Sequence, residues 1–224
     1  SLTSNPHLPA WIATITLTGA FVAVADSLNG GVEALSVVSS DADTAKELLM
    51  VNGFSRVFEL IFFGALALAS FASMNRLKVE GVGGKLTEDQ LYNNRRQADF
   101  YILMLTCGLG MSVVALSQDL FVLFIGLELA SFSTYVLVAF LKESKAGAEA
   151  GMKYFIVGSV ASGVGLYGLS MLYLWAGSLQ FEVLATAFAT SGTEPLPLIG
   201  IGFVLVGFGF KVSAAPFHFA APDA

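Results

Sequence analysis

Glu128 lies within LFIGLELASFSTYVLVAF and Lys211 within GFGFKVSAAPFHF, each deep in an apolar run. Glu128 is nine residues past Asp119, about 13 Å along a helix. Lys211 is fifteen residues past Leu196, where its own run begins. A charged side chain at the centre of a membrane helix costs about 2.5–3.5 kcal/mol, so it usually faces the protein interior and has a partner or a path. The chemistry open to an acid and an amine so placed is proton transfer. In a medium of low dielectric a lone acid holds its proton and a lone amine sheds it; an opposite charge nearby reverses both tendencies. Bringing Glu128 and Lys211 together favours the ammonium, and separating them favours release of its proton. Plainer roles also stand: Glu128 as a protonated acid making one interhelical hydrogen bond, Lys211 as a compensating charge at a kink.

The residues around Lys211 add to this reading. Pro216 removes one backbone hydrogen bond and clashes with the carbonyl of Val212, while Gly207 and Gly209 loosen the preceding turn. A broken or kinked helix is expected, its freed carbonyls lining something polar. His218 follows near the end of the run, and histidine exchanges protons near neutral pH. A hydrogen-bonding role fits it equally. Lys153 lies a few residues inside another apolar run, where it either joins the proton path or extends its amine to the membrane surface.

Several other chemistries are excluded. Cys107 is the only cysteine, and the chain has two histidines, His7 and His218. A disulfide framework, an iron–sulfur cluster or a thiolate zinc site cannot be built from these, and a two-histidine haem is disfavoured. No metal-ligand spacing and no nucleophile–base arrangement is present. No basic patch suits nucleic acid. GFGFKV lacks both the full glycine pattern and the soluble strand–helix setting of a dinucleotide-binding turn.

The elements that must position these residues are membrane helices. Only 12% of the 224 residues are charged, against about 25% in soluble domains. Six apolar runs, about 10–28, 55–74, 98–116, 119–141, 150–175 and 196–220, are each long enough to cross a bilayer. Period-two alternation persists nowhere, which disfavours a β-barrel. The expectation is an all-α polytopic membrane bundle of six spans, the last one broken. Residues 1–9 would form a polar N-terminal end and 10–224 the bundle. Asp26, Asp99 and Asp119 fall at run ends as interfacial anchors, and Arg56 can pair with Glu59.

Loop charge sets the orientation. Arg76, Lys78, Lys85, Arg95 and Arg96 occupy the 75–97 loop, and Lys142 and Lys145 the 142–149 loop. The loops at 29–54, 117–118 and 176–195 hold Lys46 alone. Positive loops face the cytoplasm or its equivalent, and six crossings put both chain ends there too. Within the acidic 29–54 loop, SSDADTAKELLM carries a helix-start signal for a short surface helix. Gly158, Ser162 and Gly165 recur at helical spacing, a stripe suited to close helix packing in lipid. The chain opens on Ser1 without a signal-peptide pattern and closes on APDA, so a piece of a longer protein is expected, incomplete at both ends.

The ordered series GLEL…EAGMKYF…GFKVSAAPFH…PD resembles the antiporter-like membrane subunits of respiratory complex I, in particular their subunit N branch. The likeness is strong from about 98 to 223 and weaker from about 50 to 97. It implies a proton channel in a bundle of about fourteen helices with two inverted repeats. It also implies that Glu128 pairs with Lys211 on a broken helix, and that Lys153 and His218 occupy the family's further proton-carrying positions. No cofactor is implied in this chain; NADH, FMN, iron–sulfur clusters and quinone would belong to other subunits. The partners implied are the other membrane-arm subunits and the lipid bilayer of an energy-transducing membrane, whether bacterial or archaeal plasma membrane or mitochondrial inner membrane. Three other readings remain: a subunit of a Mrp-type cation/proton antiporter, a subunit of a membrane-bound hydrogenase, and a structural scaffold whose buried charges fix packing.

Overall fold

The computed structural model describes residues 8–29, 48–74, 88–140, 144–191, 194–214 and 217. The described residues form seven helices: α1 Leu8–Asn29, α2 Gly53–Ser73, α3 Glu88–Leu116, α4 Leu120–Val138, α5 Lys145–Ala176, α6 Phe181–Ser191 and α7 Pro195–Lys211. Five of them, α1 to α5, are long and apolar enough to cross a membrane; α6 and α7 are shorter apolar helices. Among the described residues, the sixth expected span is helical within α7, which is 17 residues long and begins at Pro195. The short helix α6 falls within what the sequence reading takes as the loop 176–195, and α3 begins inside the expected 75–97 loop. The surface helix expected at SSDADTAKELLM lies largely outside the described residues.

Several helices begin where a side chain satisfies free backbone donors, and one begins at a proline. Asn52 and Ser55 form a reciprocal capping box at α2. Asp119 accepts from the backbone amides of Phe121 (2.8 Å) and Val122 (3.1 Å) and so starts α4. Pro195 occupies the first turn of α7, where its missing N–H costs nothing. Gly177, at φ 75°, ends α5 in the left-handed conformation that a side chain would resist.

Packing reverses the pattern of a soluble bundle. The buried face of α5 is Gly151, Gly158, Ala161, Ser162, Gly165 and Gly168 with Leu169 and Leu172, while Met152, Ile156, Val160 and Leu174 are exposed. Small residues inside and large apolar ones outside suit a lipid surround, where close van der Waals contact and interhelical hydrogen bonds hold helices together. The bonds Thr14 Oγ1 to Ser70 Oγ (2.8 Å) and Ser73 Oγ to Tyr101 Oη (3.1 Å) join α1 to α2 and α2 to α3. Contacts run from α1 to α2 and α3, then α2 to α3, α3 to α4, α4 to α5 and α5 to α7.

The helices α5 and α7 pack backbone to backbone. A Cβ on Gly168 would lie 2.6 Å from the Gly200 carbonyl oxygen and 2.7 Å from the Val204 nitrogen, and one on Gly207 would lie 3.0 Å from Gly165 Cα. The two backbones touch directly. At one end of the bundle three loops are stitched together: Met50 N–H donates to the Leu116 carbonyl (2.8 Å), Gln118 N–H to Leu48 (2.8 Å), Leu120 N–H to Leu179 (2.9 Å) and Phe181 N–H to Gln118 (3.0 Å). These segments lie opposite the basic loops in the chain's alternation.

Candidate functional site

The helix α4 carries Glu128, Ser131 and Tyr135 at spacings of three and four, which puts all three side chains on one face. That face looks toward α5 and α7. Lys211 is the last residue of α7, and its side chain leans back toward the start of its own helix. The result is an ion pair across the bundle: Lys211 Nζ stands 2.8 Å from Glu128 Oε1, with the lysine side chain 13% exposed and the glutamate 32%.

Every N–H of the ammonium has an acceptor. Besides Glu128, Lys211 donates to Ser131 Oγ (2.7 Å) and to Tyr135 Oη (3.4 Å). The rings of Tyr135 and Phe210 also lie near the charge, with centroids 5.7 and 5.9 Å away. On the acid side, Ser162 of α5 donates to Glu128 Oε1 at 2.7 Å. Ser131, Ser162 and Tyr135 are buried. Polar burial in lipid is tolerated only when the groups satisfy one another, and here they do.

The break in α7 contributes a charge of its own. The C-terminal end of a helix carries partial negative charge, which favours a cation by about 0.3–1 kcal/mol and by up to about 2 when partly buried. Lys211 sits at that end. The described residues show how the helix closes. The helix stops at Lys211, and Ser213 takes the left-handed conformation at φ 51°. Ser213 N–H donates to the Phe210 carbonyl (3.0 Å) and Ala214 N–H to that of Gly209 (2.8 Å). These two bonds are the closing pair of a Schellman turn, in a position usually given to glycine. The carbonyls of Gly209 and Phe210 are therefore occupied. Gly207 lies in regular helix as a contact point for Gly165, and Gly209 would accept a Cβ at ordinary contact distance from Phe217. Pro216 and His218 lie outside the described residues.

Lys153 is held by Glu149, one turn earlier on α5, at 2.7 Å, and both side chains are at least half exposed. It stands about 13 Å along α5 from Ser162. Its neighbour Tyr154 packs edge-on against Tyr135, with centroids 4.7 Å apart. Arg56 is buried and donates to the Ser27 carbonyl at the end of α1. Sequence reasoning missed Ser131, Tyr135 and Ser162 as partners of the pair. The register offered a signal, since 131 and 135 fall on the Glu128 face.

The space beside the pair is small. A cavity of about 10 Å³, bordered by Ser162, Lys211, Gly165 and Gly207, has room for about one water. A larger apolar recess of about 550 Å³ lies at the other end of α4 and α5, and its one acid, Asp119, is spent on capping α4. Among the described residues no group of three or more His, Cys, Asp or Glu side chains could hold a metal ion.

Comparison with known proteins bears on this arrangement. Residues 117–224 match the family model described as NADH:quinone oxidoreductase/Mrp antiporter, TM. NADH-quinone oxidoreductase subunit N of Parvibaculum lavamentivorans is 35% identical over 81% of this chain and 35% of the relative. The subunit N of Paramagnetospirillum magneticum is 35% identical over 95% of this chain and 40% of its own length. Among solved structures, respiratory complex I from Thermus thermophilus with bound Aureothin contains a chain of TM-score 0.68 and 26% identity, covering 97% of this chain and 42% of that one. A chain of the membrane-bound sulfane sulfur reductase, an archaeal respiratory membrane complex, shares the fold at TM-score 0.61 and 23% identity, with 96% and 40% coverage. This chain thus spans two fifths or less of the length of these curated relatives.

Proposed function

Because the chain belongs to the antiporter-like family of respiratory complex I membrane subunits, alongside proteins named subunit N, we propose that it moves protons through Glu128 and Lys211. The setting is the energy-transducing membrane, and the chain acts as part of a proton-translocating NADH:quinone oxidoreductase. NADH, FMN, the iron–sulfur clusters and quinone belong to other subunits of that complex. The other membrane-arm subunits and the lipid bilayer are its partners. Cys107, buried in α3, offers no ligand set for a redox group here.

The observation that carries the reading is the Glu128–Lys211 ion pair, closed at 2.8 Å inside the bundle. In the closed pair the carboxylate stabilises the ammonium. Pulling Glu128 away leaves Lys211 with only neutral hydroxyls and the helix end, so the amine gives up its proton toward a neighbouring acceptor. Return of the carboxylate restores the affinity. A change elsewhere in the complex that opens and closes the pair therefore drives a proton along the membrane plane. Lys153 and, further along the chain, His218 are the residues we assign to onward transfer. Gly207 and Gly209 with Pro216 we assign to the broken element that lets Lys211 move.

The test is Lys211→Met in the full-length subunit within its assembled complex. The expected result is normal assembly with proton translocation reduced about tenfold or more, the effect of losing a charge-assisted partner worth about 1.5–3 kcal/mol. Unchanged translocation with normal assembly would return the pair to a packing role and favour the scaffold reading.

A further inference from the structure

Ser162 stands where a residue without a hydroxyl would serve packing. Its neighbours on the buried face of α5 are Gly158, Ala161, Gly165 and Gly168, and it is itself 7% exposed. In lipid a hydroxyl on such a face needs an acceptor. Thr14, Ser133 and Ser170 give theirs to a carbonyl three or four residues back in their own helices. Ser162 instead donates across the bundle, to Glu128 Oε1 at 2.7 Å. The same oxygen faces Lys211 Nζ at 2.8 Å. One carboxylate oxygen thus accepts from two donors, one on α5 and one on α7. Those two helices meet about one turn away. A Cβ on Gly207 would lie 3.0 Å from Gly165 Cα and 3.2 Å from the Ala161 carbonyl oxygen. Ser162 and Lys211 therefore stand on one packed pair of helices, and Glu128 comes to them from α4.

We propose that Ser162 is a positioning residue, a latch that docks the Glu128 carboxylate against Lys211; the inference rests on the proton-transfer reading above. With Glu128 docked, the hydroxyl fixes Oε1 where the ammonium reaches it, and two donors hold that oxygen in place of one. A hydrogen bond to an ionised group is stronger than one between neutral groups. With Glu128 withdrawn, the hydroxyl loses that acceptor. The Gly158 carbonyl, one turn back in α5, is the acceptor that a helical serine takes in its place. Neither position leaves the Ser162 proton unpaired in lipid, so the latch opens and closes without stranding a polar group. No proton leaves Ser162 in either step. The proton that travels is the one Lys211 holds, and Ser162 sets where the carboxylate must return for Lys211 to take up the next.

The experiment uses the assembled complex carrying the full-length subunit, in sealed vesicles, with electron transfer and proton translocation measured together. Ser162→Ala is expected to lower translocation about two- to tenfold, the loss of one hydrogen bond. Ser162→Thr and Ser162→Val add the same bulk and differ in the hydroxyl, so they separate the latch from packing. The threonine variant is expected to translocate about two- to tenfold faster than the valine variant. Equal translocation by the two overturns the latch, because a packing defect would not be cured by a hydroxyl. If the added bulk blocks assembly in both, Ala161→Gly is the control, since it removes one buried heavy atom from the same turn of α5 without touching a hydroxyl. Ser162→Ala more damaging to translocation than Ala161→Gly then upholds the latch, and no more damaging overturns it. Normal translocation in Ser162→Ala with Lys211→Met impaired overturns the latch and leaves the ion pair standing. Normal translocation in Lys211→Met overturns the parent reading, and the latch with it.

Discussion

A lysine and an arginine at position 211 would carry the same charge and differ in whether they can let go of it. Guanidinium keeps its proton at any pH a protein meets, while a lysine amine can lose one when its surroundings change. Lys211→Arg therefore separates a proton carrier from a counter-charge. With Glu128, Ser131 and Tyr135 in reach of the head group, the variant is expected to assemble normally. Its translocation is expected to fall about tenfold or more, measured as proton uptake against electron transfer in vesicles. A structural counter-ion would survive the exchange with little change. The two charges themselves were legible from the sequence, because an acid and an amine in the middle of apolar runs stand out. The hydroxyls were not: serine and tyrosine are common in these segments, and only the crossing of α4 over α5 selects Ser131, Tyr135 and Ser162. The left-handed Ser213 was equally hidden, since glycine is the residue that marks such a turn.

The pair depends on α7 staying seated on α5, and the seat is made of glycines. At Gly168 an added Cβ meets the Gly200 carbonyl at 2.6 Å and the Val204 nitrogen at 2.7 Å, backbone atoms that cannot turn aside. Gly163, on the same helix, has nothing within 4 Å. Gly168→Ala is expected to destabilise the bundle by about 1–3 kcal/mol, the cost of overpacking, and to lower translocation by displacing Lys211. Gly163→Ala is expected to leave both unchanged. Thermal unfolding of the purified complex, read beside pumping, checks the contrast. The sequence located these helices well because hydropathy over about twenty residues is a strong signal. It gave no warning of α6, whose eleven residues are too few for such a window. It expected the last span to be broken because proline is a visible breaker, but gave no sign of the turn in which Ser213 and Ala214 bond back to Phe210 and Gly209.

The molecule as a whole is a one-sided arrangement of charge around an apolar bundle. In the sequence the basic loops 75–97 and 142–149 alternate with the segments stitched together at 48–50, 116–120 and 179–181. The positive-inside rule then directs the α4–α5 connection to the cytoplasmic face and α6 to the opposite one. Cys107 is buried, so a Cys107→Ser background offers a clean test. In sealed vesicles, Ala146→Cys is expected to react with a membrane-impermeant maleimide from the cytoplasmic side and Thr190→Cys only from the other. Labelling of both from one side would refute the topology. The loop-charge asymmetry behind this expectation is readable from the sequence, because it is a property of composition and needs no packing detail.

The most direct measurement is a double-mutant cycle on proton translocation by the complete complex, using Glu128→Gln, Lys211→Met and the two together. If the acid and the amine act as one unit, the double variant loses no more than the more damaged single variant, and the coupling is about 1 kcal/mol or larger. If the two losses multiply, Glu128 and Lys211 work independently, and the shared-proton account is wrong.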